Sequence, residues 1–271
     1  MFTFRYVACL LAVIFAIPHM VWAFSAEPSD FSNRQSFVVP VQIPYEPPPV
    51  ENYPPPLPAN PAPEELTEED LARAEALLPM LEGRQELYAI AEFVHLGKPV
   101  VPIVIKGLTM PGVRIRYNSV ETLKIINDPQ AVPHLLKAAL NKNDLVRIRA
   151  HALRTAVRLD PHQSFPAMRT LSDDKKDTIR RTVAFEARKI REQAIGPILI
   201  KLMGDSALFV SEAARESFWV ITRYSGKSHD WASSTHEQRR AWAQEFTEWW
   251  DMNIQRLQEQ QKKQQKEQPV S

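Results

Sequence analysis

The sequence predicts an all-α fold, an α-solenoid of about five helix pairs closed by a tryptophan-rich C-terminal helix. Three observations carry that expectation. First, apolar-proline steps recur at Val101-Pro102, Val132-Pro133, Phe165-Pro166 and Gly196-Pro197, with the prolines 31, 33 and 31 residues apart. Second, fourteen residues after each proline comes a mark, Ile115-Arg116, Val146-Arg147, Ile179-Arg180 and Val210-Ser211, and ten residues later an apolar residue, Ile126, Val157, Ile190 and Ile221. Two helices per period of about 32 residues is the signature of stacked helical repeats. Third, only seven glycines are spread over 271 residues, and the long stretches rich in Ala, Leu, Glu, Lys and Arg favour helix over sheet.

Each element follows in order. Met1 to Ala23 reads as a secretory signal peptide: Arg5, an apolar run from Tyr6 to Ile17, and Val21-Trp22-Ala23 before the expected cleavage point. The alternative is an uncleaved inner-membrane anchor, since Tyr6 to Phe24 is just long enough to span a bilayer. Cleavage implies a periplasmic or secreted bacterial protein. It also removes Cys9, the only cysteine, and with it any disulfide, thiol nucleophile or thiolate metal site.

Residues 24–66 read as a disordered linker, with eleven prolines between Pro40 and Pro63. A polyproline II run of that length reaches roughly 70 Å. It is either a spacer, a docking peptide, or a leader with no tether.

The solenoid spans residues 67–223. Thr67-Glu-Glu-Asp70 is a capping-box start, and residues to Gly97 form a divergent first repeat. The turns of the next four repeats fall at Thr109-Met-Pro-Gly112, Asn141-Lys-Asn-Asp144, Ser172-Asp-Asp and Gly204-Asp-Ser. The recurring proline is expected in the first turn of each first helix, where its missing N–H costs nothing.

Ala131-Val-Pro-His-Leu-Leu-Lys-Ala-Ala-Leu140 and Asp144-Leu-Val-Arg-Ile-Arg-Ala-His-Ala-Leu153 carry a resemblance. The pattern resembles HEAT-like (armadillo-like helical) repeats of the phycobilin-lyase type. The resemblance implies that the turn aspartate and the second-helix arginine bond between neighbouring repeats; Asp144 with Arg147 and Asp177 with Arg180 supply these residue types. Ser211 stands in the arginine place of repeat five, so such a ladder is expected to weaken there.

Residues 224–253 form the expected cap. Ser234-Thr-His-Glu237 reads as a capping box, and Trp242, Phe246, Trp249 and Trp250 share one helical face. A solenoid's last repeat exposes an apolar face unless something covers it. Residues 254–271 form a Gln/Lys-rich tail.

The sequence carries no phosphate loop, dinucleotide fingerprint, nucleophile elbow or zinc-protease helix. Iron hydroxylases built on HEAT-like repeats use paired His-Glu motifs on several repeats, a set this chain lacks. No catalytic residue, metal or cofactor is therefore assigned, and no enzymatic activity is expected.

The candidate site is electrostatic. The formal charge is only +1, but residues 114–191 hold seventeen bases against eight acids, while residues 46–92 hold eleven acids against two bases. Arg147, His151, Arg154 and Arg158 cluster within about 60° on one helix face, and Arg180 and Arg191 take the equivalent places one repeat on. In HEAT-like solenoids the second helices line the concave surface, so these residues predict a basic strip there. The expectation is an exported, non-catalytic scaffold whose concave face binds a protein partner, an acidic peptide or an anionic envelope polymer. Nucleic acid is not expected, and membrane only if the signal segment stays attached. The alternative is an enzyme or cofactor-binding protein, lyase-like, that uses the solenoid as framework.

Overall fold

The computed structural model describes residues 65–224 and 227–267, with side chains to residue 255; the expected signal peptide and nearly all of the Pro-rich linker lie outside these. The described residues form α-helices and short 3-10 turns, with no strand. They make a HEAT-like helical repeat fold, an α-solenoid of five helix pairs and a terminal helix. The pairs are α1 (Glu68–Leu77) with α2 (Glu86–Leu96), α3 (Val101–Gly107) with α4 (Val113–Ile126), α5 (Val132–Leu140) with α6 (Val146–Leu159), α7 (Pro161–Leu171) with α8 (Asp177–Glu186), and α9 (Ile195–Met203) with α10 (Leu208–Thr222). The terminal helix is α11 (His236–Glu267). The second helices α4, α6, α8 and α10 pack side by side in one layer, and the first helices form the other.

Local sequence explains where the chain turns. The Thr67 hydroxyl accepts from Asp70 N–H, and the Asp70 carboxylate accepts from Thr67 N–H, so the expected capping box opens α1. Pro102 and Pro133 sit in the first turns of α3 and α5. Pro166 does not: α7 starts five residues earlier, with Asp160 as its cap, and Pro166 falls inside the helix. There the ring removes the bond that the His162 carbonyl would receive.

Asp144, Asp174 and Asp205 each turn the chain into a second helix, accepting Leu145, Lys176 and Ala207 N–H respectively. The same carboxylates receive an arginine from the preceding second helix. Arg116 grips Asp144 with two bonds of 3.0 Å, and Arg180 grips Asp205 at 2.6 and 2.9 Å. Arg149 grips Asp174 and also donates to the Ala139 carbonyl. Arg116 and Arg180 further donate to carbonyls of their own turns. Each bridge thus pins two consecutive turns together.

The expected pairings Asp144–Arg147 and Asp177–Arg180 are corrected here. The first helix of repeat three, α5, runs two residues longer than α3 before a turn of the same length, so its arginine comes two residues later, in Ile148-Arg149. Ile148 is buried and Arg147 exposed. Burial works to raise the Asp174 and Asp205 carboxyls, but the arginine bonds, the backbone N–H and the arginine charge outweigh it and hold both below the ordinary carboxylate value. Their contribution to stability is complete above the unfolded-state value and is lost as pH falls through the lower folded one.

The ladder changes chemistry at repeat five. Ser211 donates to the Met203 carbonyl and accepts the Trp231 indole N–H at 2.8 Å. Arg239 of α11, 3% exposed, donates to the carbonyls of Asp205, Ser206 and Ser234. The cap therefore supplies from outside the arginine that repeat five lacks. Helix α11 opens on Thr235 and Gln238, which exchange backbone and side-chain bonds, and not on Ser234 and Glu237. Phe218 of α10 is fully buried, with ring centroids of Phe246, Trp249 and Trp250 at 5.6, 5.7 and 5.9 Å. A Cβ on Gly196 would lie 2.3 Å from the Trp250 ring, so the repeat's usual apolar residue is replaced by one that admits the indole.

Two substitutions separate the two kinds of arginine on α6. Arg149→Met strands a buried carboxylate and should cost about 3–5 kcal/mol in urea unfolding. Arg147→Ala, on the exposed face, should change stability by no more than about 0.5 kcal/mol. Equal effects would contradict the assignment of the bridge. Gly196→Ala should cost about 1–3 kcal/mol by overpacking against Trp250.

Candidate functional site on the second-helix face

Helix α6 packs between α4 and α8, so it is covered on more sides than an isolated stripe suggests. Arg149, His151 and Thr155 are all buried on it. Arg147, Arg154 and Arg158 remain exposed along its outer face. Among the described residues none of these three pairs with a carboxylate. They and His151 are brought together on one helix. The other two predicted site residues are not part of that face. Arg180 is the ladder arginine of repeat four, half-buried on Asp205. Arg191 lies beyond the end of α8, in a non-helical segment. The expected strip therefore belongs to α6 and does not run on into repeat four.

His151 is 9% exposed and stacks on Tyr117 of α4, with centroids 4.9 Å apart and planes 27° apart. Its Nε2 lies 2.9 Å from Glu121 Oε2, one turn along α4 from Tyr117, but off the line a hydrogen bond needs. The nitrogen is buried without a hydrogen-bond partner among the described residues. Burial pushes the imidazole below its ordinary value of 6.5; the Glu121 charge opposes this, and Lys124 and Arg154 add to it. Burial also works to raise Glu121, but a hydrogen bond and charge from Lys124, with His151, bring that carboxyl below its ordinary value. The result at neutral pH is an uncharged imidazole beside a carboxylate, in a field of positive charge. Such a group is uncharged and able to accept a hydrogen bond at neutral pH, and is a weaker base than a free imidazole.

A hollow of about 250 Å³ opens beside Tyr117, lined by Glu86, Arg114, Asn118 and Arg147. Arg114 is held by Glu86 at 2.6 Å, and Asn118 donates to Glu86 and to the Leu81 carbonyl. Arg147 is the cation left open to it. A wider cleft of about 670 Å³ lies between the turns of repeats two and three, lined by Lys106, Arg116, His134, Lys137 and Asp144. Its Arg116 and Asp144 are already spent on each other. Among the described residues no three His, Cys, Asp or Glu side chains gather to hold a metal ion.

Sequence reasoning missed Tyr117 and Glu121. Their i, i+4 spacing on α4 was the available signal, but only packing against α6 brings them to His151.

His151 should titrate below 6.5 in an NMR pH series on the folded chain. The stability that its neutral form contributes is present above 6.5 and falls as pH drops through the folded value. Glu121→Gln removes the charge that favours protonation and should lower the titration further. A value above 6.5, or a rise in the variant, would contradict the site's electrostatics.

No protein-family model matches the chain and no curated protein matches it. Among solved structures, the chain is similar to the complex of CpcE and CpcF of phycocyanin lyase from Nostoc sp. PCC7120. Identity is 18% and the TM-score 0.47, over 54% of this chain and 98% of that one. The expectation of a non-catalytic scaffold with no enzymatic activity is corrected by this comparison, which finds a structure of phycocyanin lyase.

Proposed function

We propose that the chain is an enzyme or cofactor-binding protein, lyase-like, that uses the solenoid as framework and takes an anionic organic ligand on the second-helix face. The observation that carries this is His151: a buried imidazole with an unsatisfied nitrogen, stacked on Tyr117 and beside Glu121. A buried ring nitrogen with no hydrogen bond is costly for a fold to keep. On a face with Arg147 and Arg154 exposed, a ligand that brings a donor to it satisfies it.

In this reading Tyr117 gives a flat ring for an unsaturated ligand, Arg147 and Arg154 take its acid groups, and His151 handles the proton. A protein partner is part of the reading, because the solved neighbour is a complex of two proteins. Export to the periplasm, with residues 24–66 as spacer, is proposed on the sequence of the leader alone.

A bilin is the probe to use, because the repeats resemble those of phycobilin lyases and a bilin carries two propionates on a conjugated chain. Absorbance titration of the full chain should show a saturable shift of the visible band. Arg147→Glu with Arg154→Glu should weaken binding by roughly a hundredfold, in line with two charge-assisted contacts of about 1.5 kcal/mol each. His151→Gln should weaken binding by about threefold to tenfold, the loss of one hydrogen bond, and alter the pH dependence of the spectrum. No shift with the unaltered chain, or one indifferent to the arginine pair, would remove the reading.

A further inference from the structure

The second helix of repeat four is shorter than its neighbours. Helices α4, α6 and α10 have 14, 14 and 15 residues, and α8 has 10. After one 3-10 turn, Ala187–Lys189, the chain goes extended at Ile190. The missing turn leaves a cleft of about 450 Å³ against the end of α10 and Trp250 of α11. Arg188, Arg191 and Glu192 line it on one side, and Val220, Ile221 and Trp250 on the other.

Two of these polar side chains are bonded at one end and buried without a partner at the other. Arg188 donates from Nε to the Phe185 carbonyl at 2.9 Å and lies 3.9 Å over the Phe185 ring, while its Nη2 is buried with no partner among the described residues. Glu192 Oε1 meets His162 of α7, while its Oε2 is buried and likewise unpaired. One orphan donor and one orphan acceptor thus line a single cleft with an apolar wall. Buried polar atoms in native proteins are nearly always satisfied, so each such exception calls for a cause.

We infer that this cleft is a binding site for a small zwitterion, an α-amino acid with an apolar side chain. Its carboxylate pairs with Arg188, its ammonium with Glu192, and its side chain lies against Val220, Ile221 and Trp250. A simple anion would meet the Glu192 carboxylate, and a simple cation would meet Arg188 and Arg191. A ligand with both charges answers both orphans with charge-assisted bonds. The inference does not rest on the reading of His151, which lies on a different helix.

Calorimetric titration of the full chain with L-leucine and L-phenylalanine tests it, beside 4-methylpentanoate, which lacks the ammonium, and isoamylamine, which lacks the carboxylate. At least one amino acid should bind, with both single-charge analogues at least about tenfold weaker. Arg188→Gln and Glu192→Gln should each weaken the amino acid about tenfold or more, with circular dichroism confirming the fold, and His151→Gln should leave it unchanged. No binding of either amino acid at millimolar concentration would overturn the site. So would analogues that bind as well as the amino acids, a result that needs no variant to fold. A bilin response without an amino-acid response would overturn this site alone, and the reverse would overturn only the His151 reading.

Discussion

The arginine–aspartate bridge between consecutive turns is the constraint on which the rest depends. A helical-repeat protein has no long-range core that closes on itself; each repeat is held by its neighbours. Apolar contact alone lets packed helices slide, because it is not directional. The bridges remove that freedom. Asp144, Asp174 and Asp205 must each be where the next helix starts, because they also accept its first backbone N–H groups. An arginine that reaches such a carboxylate fixes the register of one second helix against the next. That register sets Tyr117 and Glu121 of α4 against His151 of α6.

The same logic explains the C-terminal end. Repeat five has no arginine to offer, because Ser211 stands in its place. The solenoid stops where α11 lays an aromatic face over α10 and Arg239 donates back to the Asp205 turn. The cap is thus both an apolar cover and the last rung. Trp231, bonded to Ser211, ties the connecting segment to the same point.

Much of the fold was legible in the sequence because the period was. Proline steps, Asp turns and the aromatic stripe of α11 are local signals, and all but the step at Pro166 lie where local chemistry requires them. The register of α6 was not legible. Val146-Arg147-Ile148-Arg149 offers two arginines two residues apart, and spacing from the proline selects the wrong one. Only the two extra residues of helix α5, seen once the helix ends are known, put Arg149 inward and Arg147 outward. Pro166 misled in the same way, since a start signal at Asp160-Pro161 lies one turn ahead of it. For the site, periodicity put His151 on one helix with Arg147, Arg154 and Arg158. It could not show that α4 covers the histidine and leaves the arginines open. The stop of α8 at Glu186 has no strong breaker in the sequence, so the cleft beside Arg188 was invisible until the helix ends were known.

The buried and exposed arginines of one helix therefore have different work: Arg149 holds the repeats in register, and Arg147 and Arg154 remain available to a ligand. A double-mutant cycle on Arg149 and Asp174, with Arg149→Met, Asp174→Leu and the pair measured by urea unfolding, tests the bridge most directly. The account predicts strong coupling: each single change costs several kcal/mol, and the pair costs less than their sum by at least about 1.5 kcal/mol. Additive costs would show that the two side chains do not depend on each other, and the ladder would no longer explain how the repeats are held in register.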